Sequence, residues 1–191
     1  MDEIVALAMQ KWPNVPDVYG WLGLDRRGNW LLKGERIGNP ALNAFISRNY
    51  ARGERGRWYF QNGPQRVFVS LQATPYVFSL EHRNGGIAAI AHTGVVTQQV
   101  EAALIDAAGA LILLTELGPG IVHDRDLGIA LEAARYSGGA PVTEEAIAAL
   151  QRGEAGKIAI GFGRAQIPLQ ALGPAALAAR FGFDPDPKPP A

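Results

Sequence analysis

Three histidines are the first candidates for chemistry at neutral pH, because imidazole titrates there. They are His82, His92 and His123. His82 and His92 flank an expected β-hairpin as cross-strand neighbours, and Glu81 or Asp124 could join them around a metal. Their spacing fits no standard ligand motif, so neither a metal nor a cofactor is expected. The chain has no cysteine, which removes thiolate ligands, disulfides and cysteine nucleophiles together. Ser47, Ser70, Ser79 and Ser137 lie outside any G-x-S-x-G turn. The runs "GPG" (118–120) and "GFG" (161–163) do not open the strand, glycine loop and helix that a phosphate loop requires.

The run "HDRD" (123–126) has the residue types of a His-Asp phosphohydrolase. Such sites need further His and Asp ligands on a helical bundle. Here the run stands where a strand should meet a helix, so Asp124 and Asp126 are expected to cap that helix at its positive end.

A different chemistry is offered by "RNYARGERGRWYFQNGPQR" (48–66), with five arginines, one acid and interleaved aromatics. Guanidinium groups hold phosphate, and aromatic rings stack on bases or other rings. The candidate ligand-binding residues are Arg52, Arg55, Arg57, Tyr59 and Arg66. In a strand, positions 55, 57 and 59 share one face and 58 and 60 the other. Tyr59 should therefore stand outward with the arginines, and Trp58 and Phe60 inward. The competing expectation is a solvated loop whose aromatics alternate into the core.

The elements that must position these groups follow from pattern. The chain has 191 residues, 48% of them hydrophobic and 19% charged, enough for one domain or two small ones. Its formal net charge is zero, which disfavours a general grip on nucleic acid. No basic leader and no eighteen-residue apolar run is visible, so no membrane span is expected and the location expected is the cytoplasm. Arginine, alanine and glycine are abundant, as in GC-rich bacterial genomes.

A helix is expected over 2–12, stopped by Pro13, with a linker to 17. "GWLGLDRRGNWLLKG" (20–34) and "VEAALIDAAGALILLTELG" (100–118) each read as two apolar strands around Asp-x-x-Gly. A helix follows each: one capped by Asn39 with Pro40 at its first position, the other after Asp124. "RWYFQ" and "QRVFVSL" flank Asn62-Gly63 as a hairpin. Further strands "PYVFSLE" and "IAAIAH" join through "RNGG". "TEEAIAALQRG" is an extra helix without a counterpart. "KIAIGFGRAQIPLQAL" answers "RVFVSLQATPYVFSL", an offset of 91 residues against 81 at the Asp-Gly turns. The expected fold is α+β. It has two similar units, each an antiparallel sheet plus a helix, related by internal duplication. The expected boundaries are 1–17, 18–95, 96–183 and a Pro-rich tail, 184–191, disordered or extended.

Asp25, Gly28, Trp30, Gly34, Ile37, Tyr59, Val67, Val69 and Pro75 occupy the places of a pattern found in the bacterial domain of unknown function 1285 family. The stretch 18–80 resembles that family, or a sister of it, although Gly38-Asn39 before Pro40 departs from the pattern. The resemblance implies two similar α+β units and a binding or signalling role, and it carries over no catalytic residue. The leading functional expectation is a non-catalytic module that binds a protein partner or small molecule in a cleft between the units. One alternative is a hydrolase-like enzyme using His82, His92 or His123. The other is a phosphate-ligand binder using 48–66. Oligomeric state is not legible.

Overall fold

The computed structural model describes residues 1–12, 15–83, 86–97, 99–154, 157–173 and 177–190. Pro13 and the turn at 84–85 therefore lie outside the described residues. The fold is α+β, in two compact units: Met1–Pro75 with Ala176–Ala191, and Tyr76–Ala175. The division falls at 75/76 rather than near 95, because the two strands after Pro75 pair within the second sheet.

The first unit contains α1 (Glu3–Lys11), β1 (Val18–Leu24), β2 (Trp30–Leu32), β3 (Glu35–Arg36), α2 (Pro40–Arg48), β4 (Tyr50–Arg52), β5 (Trp58–Asn62) and β6 (Gln65–Leu71). Asn39 caps α2 as expected, its Oδ1 accepting from the Ala41 and Leu42 N–H groups at 2.9 and 3.2 Å. The sheet runs β3-β2-β1-β6-β5-β4. It is mixed rather than antiparallel, since β1 and β6 are parallel neighbours at its centre. Two hairpins whose inner strands meet side by side produce that pairing, with α2 in the long crossover between them. Leu24, Trp30, Ile46, Trp58 and Phe60 are buried in its core.

The second unit contains β7 (Tyr76–Arg83), β8 (Gly86–Ala91), β9 (Val96–Thr97), β10 (Val100–Ile105), β11 (Leu111–Thr115), β12 (Gly118–Val122), α3 (Leu127–Glu132), β13 (Ala134–Tyr136), α4 (Glu144–Gln151), β14 (Ile158–Phe162) and β15 (Ala165–Ala171). A short α5 (Leu177–Phe181), not foreseen from sequence, belongs to the first unit. The order β12-β11-β10-β15-β14-β13 repeats the first sheet, with β10 and β15 parallel at the centre. The hairpin β7–β8 then bridges its ends. β7 pairs in parallel with β12, and β8 reaches β14 through Phe162↔Ile87, closing a seven-strand barrel. Gly86 permits that closure: at φ +143°, a Cβ there would lie 2.5 Å from the Gly163 carbonyl oxygen.

The two sheets agree in register as well as order. Leu24 pairs with Trp30 and Leu71 in one, and Ile105 with Leu111 and Ala171 in the other. Tyr50↔Phe60↔Val67 matches Ala134↔Ile160↔Ile167. β6 starts at Gln65 and β15 at Ala165, so the late strands are offset by 100 residues rather than 91. The expected match was one strand out of step: "KIAIGF" answers "RWYFQ". Short apolar runs match one another easily, and only hydrogen bonding sets the pairing.

Both Asp-Gly turns are built alike. Asp25 Oδ1 accepts from the N–H groups of Arg27 and Asn29 at 2.8 Å each. Asp106 Oδ1 accepts from Ala108 and Ala110 at 2.9 and 2.8 Å. Gly28 and Gly109 sit at φ +81° and +87°. The left-handed region costs an L residue about 1–2 kcal/mol, and a β-branched one more. Gly28→Val and Gly109→Val should each lower the unfolding free energy by at least that amount in urea titrations. An unchanged midpoint would mean that the turn relaxes.

The Pro-rich tail docks through Asp184, Pro185 and Asp186, with a bend at Pro185–Asp186. Leu71 N–H donates to the Pro185 carbonyl at 2.7 Å, Asp184 N–H to the Gly56 carbonyl at 3.0 Å, and Ser70 Oγ to Asp186 at 3.1 Å.

Candidate functional site

The register match between the sheets exposes a difference in side-chain size. Trp30, Tyr50 and Trp58 stand in the first unit where Leu111, Ala134 and Ile158 stand in the second. In the first unit the rings pack on one another beside α2: Trp30 meets Tyr50 edge-on at 5.1 Å, and Tyr50 lies 5.1 Å from Trp58. A different apolar cavity of about 420 Å³ remains under Leu42 and Ile46 of α2, lined also by Leu22, Phe60 and Val67. Trp30 Nε1 donates to Ser47 Oγ and Tyr50 Oη to the Pro75 carbonyl, each at 3.0 Å. In the second unit the smaller residues leave a cavity of about 360 Å³, lined by Ile105, Leu111, Ala130, Ala134, Ile160 and Leu169 among others.

That cavity lies beneath α3 and is flanked by α4, the extra helix that sequence identified. α4 occupies the connection between β13 and β14, where the first unit has only the short loop 53–57. Thr143 caps it, Oγ1 accepting from Ala146 N–H at 3.4 Å. Gln151 Nε2 donates to the Asp106 carbonyl at 2.7 Å, pinning the last turn of α4 to the Asp-Gly turn. Among the lining residues Glu144 alone is ionisable. Sequence reasoning marked none of these residues as a site. Cavities come from what small residues fail to fill, and no local motif records that.

The arginine stretch divides. Trp58 and Phe60 are buried and Tyr59 is half-buried on the opposite face, as expected. Arg57 and Arg66 join Tyr59: the Arg57 guanidinium lies 4.8 Å from the Phe68 ring centroid, and that of Arg66 5.4 Å from the Tyr59 centroid. Arg52 does not join them. It pairs with Trp58 in the ladder, which puts it on the other face, and its Nη2 donates to the Gly182 carbonyl at 3.3 Å. Arg55 is exposed in a 3₁₀ turn with φ +55°. Arg48 is bound to Asp2 at 3.1 Å, which holds the Asp2 carboxyl below the usual range. The expected set assumed a strand through 55–60, but the strand begins only at Trp58.

The histidines stay apart. His82 pairs with Ile87 beside the hairpin turn, whereas His92 N–H donates to the Val77 carbonyl at the far end. The two are five residues apart along the hairpin, about 16 Å at strand rise, and are not cross-strand neighbours. His82 Nε2 lies 3.6 Å from Glu132, both side chains exposed. His92 Nδ1 accepts from Val77 N–H at 3.3 Å, and His123 Nδ1 from Arg125 N–H at 3.2 Å. Among the described residues no three His, Asp or Glu side chains converge as a metal group.

The "HDRD" run caps differently from expectation. His123 is the capping side chain of the 3₁₀ turn at Asp124–Asp126, and Asp124 Oδ1 also accepts from Arg125 N–H, at 2.9 Å. Asp126 makes no cap hydrogen bond; its buried Oδ2 accepts from Leu80 N–H at 3.0 Å. The last bond from β12 is His123 N–H to the Phe78 carbonyl, so Asp126 supplies the next acceptor where the strand has ended. Asp126→Ala would orphan that amide and should cost about 1–3 kcal/mol, read by chemical denaturation. No loss would leave Asp126 free for another role.

A domain of unknown function 1285 family protein from Silicibacter pomeroyi DSS-3 shares the fold, with a TM-score of 0.56 at 15% identity over 89% of this chain and 96% of that one. A second member, from Shewanella baltica OS155, aligns with a TM-score of 0.40 at 14% identity over 56% of this chain and 86% of that one. No curated protein matches. No described helix is long and apolar enough to cross a membrane. The resemblance to the 1285 family thus holds as likeness of fold, while residues 1–188 match the model DUF2944, "Protein of unknown function (DUF2946)", and the chain belongs to that family.

Proposed function

We propose that the protein is a non-catalytic binding module of bacterial origin, built by internal duplication, whose second copy has become a small-molecule receptor. Matching strand order, register and Asp-Gly turns support the duplication. The cavity carries the binding reading: it opens where the second copy holds Leu111 and Ala134 in place of Trp30 and Tyr50, and it is flanked by a helix the first copy lacks. Its volume falls in the range of small-ligand pockets. The lining favours an uncharged, largely apolar ligand, since burying a charge against these side chains is costly.

The test is thermal denaturation with 1-decanol and 1-naphthol as probes. A ligand at a hundred times its Kd stabilises by about 2.7 kcal/mol, a readily measured shift. Ala134→Leu should reduce the shift, because its larger side chain intrudes on the cavity, while Leu42→Ala, at the apolar cavity of the first unit, should leave it intact. Absence of any shift with both probes in the wild type would reduce the cavity to packing space and remove the proposal.

A further inference from the structure

We infer a second, separate site on the first unit: Arg57 and Arg66 form a clamp for a phosphate group over a shared aromatic platform. Tyr59 and Phe68 pair across β5 and β6, with ring centroids 5.9 Å apart and edge-to-face. Tyr19 stacks on Phe68 from β1 at 4.7 Å. Each guanidinium lies over one ring of the cross-strand pair, Arg57 over Phe68 and Arg66 over Tyr59. The strand period explains why: residues 57, 59, 66 and 68 all point to one face of this sheet.

The rings hold the guanidiniums in place, so a ligand would find them ordered in advance, with less entropy to lose. Arg57 is further fixed by Nε donating to the Glu54 carbonyl at 3.3 Å and Nη1 to Tyr19 Oη at 3.4 Å. Gly53 keeps the rim clear, since a Cβ there would lie 3.1 Å from the Tyr59 ring. Among the described residues, no carboxylate lies within ion-pair distance of Arg57 or Arg66. The stretch carries five arginines against Glu54 alone, in a chain of zero net charge. With Arg57 Nε and one Nη1 hydrogen engaged, its Nη2 group and the Arg66 guanidinium are left to meet the oxygens of a phosphate ester or diphosphate.

Inorganic pyrophosphate, adenosine diphosphate, and phosphatidylcholine vesicles containing phosphatidic acid are the probes, titrated at about 20 and 150 mM salt, which straddle strong and weak screening. Wild type should bind at least one probe saturably at low salt and more weakly at high salt. Arg66→Ala should weaken binding at least tenfold. Arg66→Lys should recover only part, because lysine keeps the charge but not the planar fork. Arg52→Ala, on the other face, should stay within twofold. Binding to vesicles alone would assign the phosphate to a lipid headgroup, and binding to the soluble probes to a free ligand. No binding of any probe at low salt overturns the inference. So does an equal loss in Arg52→Ala, which would make the effect one of diffuse charge. Melting curves of each variant separate lost binding from lost fold. The probes for the apolar cavity carry no phosphate, so the two sites stand or fall separately.

Discussion

Gly120→Ala should cost the second unit about 3 kcal/mol, the upper part of the range for overpacking a core. Gly120 lies in β12 between Leu113 and Tyr76. The Phe78 ring occupies the space where its side chain would stand: an added Cβ would lie 2.5 Å from Phe78 Cδ2 and 3.0 Å from Tyr76 Cβ. Phe78 is fully buried in the barrel core, and burial pushes the neighbouring Tyr76 hydroxyl up to about 12. The Phe78 ring has no exposed side to move toward. For a protein of this size, 3 kcal/mol corresponds to a fall in melting temperature of about 6–12 °C. Gly120→Ala combined with Phe78→Leu should lose less than the two single changes together, since the smaller side chain vacates the contested space. A fall below about 2 °C for Gly120→Ala alone would show that the ring yields freely.

Gly120 also shows where sequence reading stops. In "LGPGIV" the glycine reads as part of a loop, and only a parallel strand from Tyr76 makes it a packing position. Local signals were legible: the cap at Asn39, the Asp-Gly turns, the Asn62-Gly63 hairpin, and the alternation of Trp58, Tyr59 and Phe60. Each depends on residues within a few positions of one another. The closure of the barrel depends instead on Ile87 meeting Phe162, far apart in sequence, so the hairpin 76–91 went to the wrong unit. The arginine site was half legible for the same reason. Tyr59, Arg57 and Arg66 share a face by strand parity, whereas the loss of Arg52 follows from the pairing of β4 with β5. The cavity was invisible, because it is a difference between two register-matched positions and requires the correct offset of the late strands.

That difference predicts an asymmetric response to mutation. Trp58→Ala should destabilise the first unit by about 3–5 kcal/mol, the usual cost of deleting a buried indole. Trp58 is 3% exposed and its ring supports Tyr50, which in turn meets Trp30 edge-on, so the loss propagates through three contacting rings. All four tryptophans, at 12, 21, 30 and 58, lie in the first unit, so fluorescence reports its unfolding while far-UV circular dichroism follows the whole chain. The fluorescence midpoint in urea should fall for Trp58→Ala even though one fluorophore is lost. Replacing Trp30, Tyr50 and Trp58 together by Leu, Ala and Ile installs the side chains of the second unit at the same register positions. The second unit tolerates that set because α4 flanks the resulting cavity; the first has only the loop 53–57 at that connection. The triple variant should therefore lose more than Trp58→Ala and fail to give a cooperative fluorescence transition from its remaining tryptophans, Trp12 and Trp21. A triple variant as stable as wild type would mean that the aromatic cluster is dispensable, and the small residues of the second unit would then no longer mark a cavity kept for a ligand.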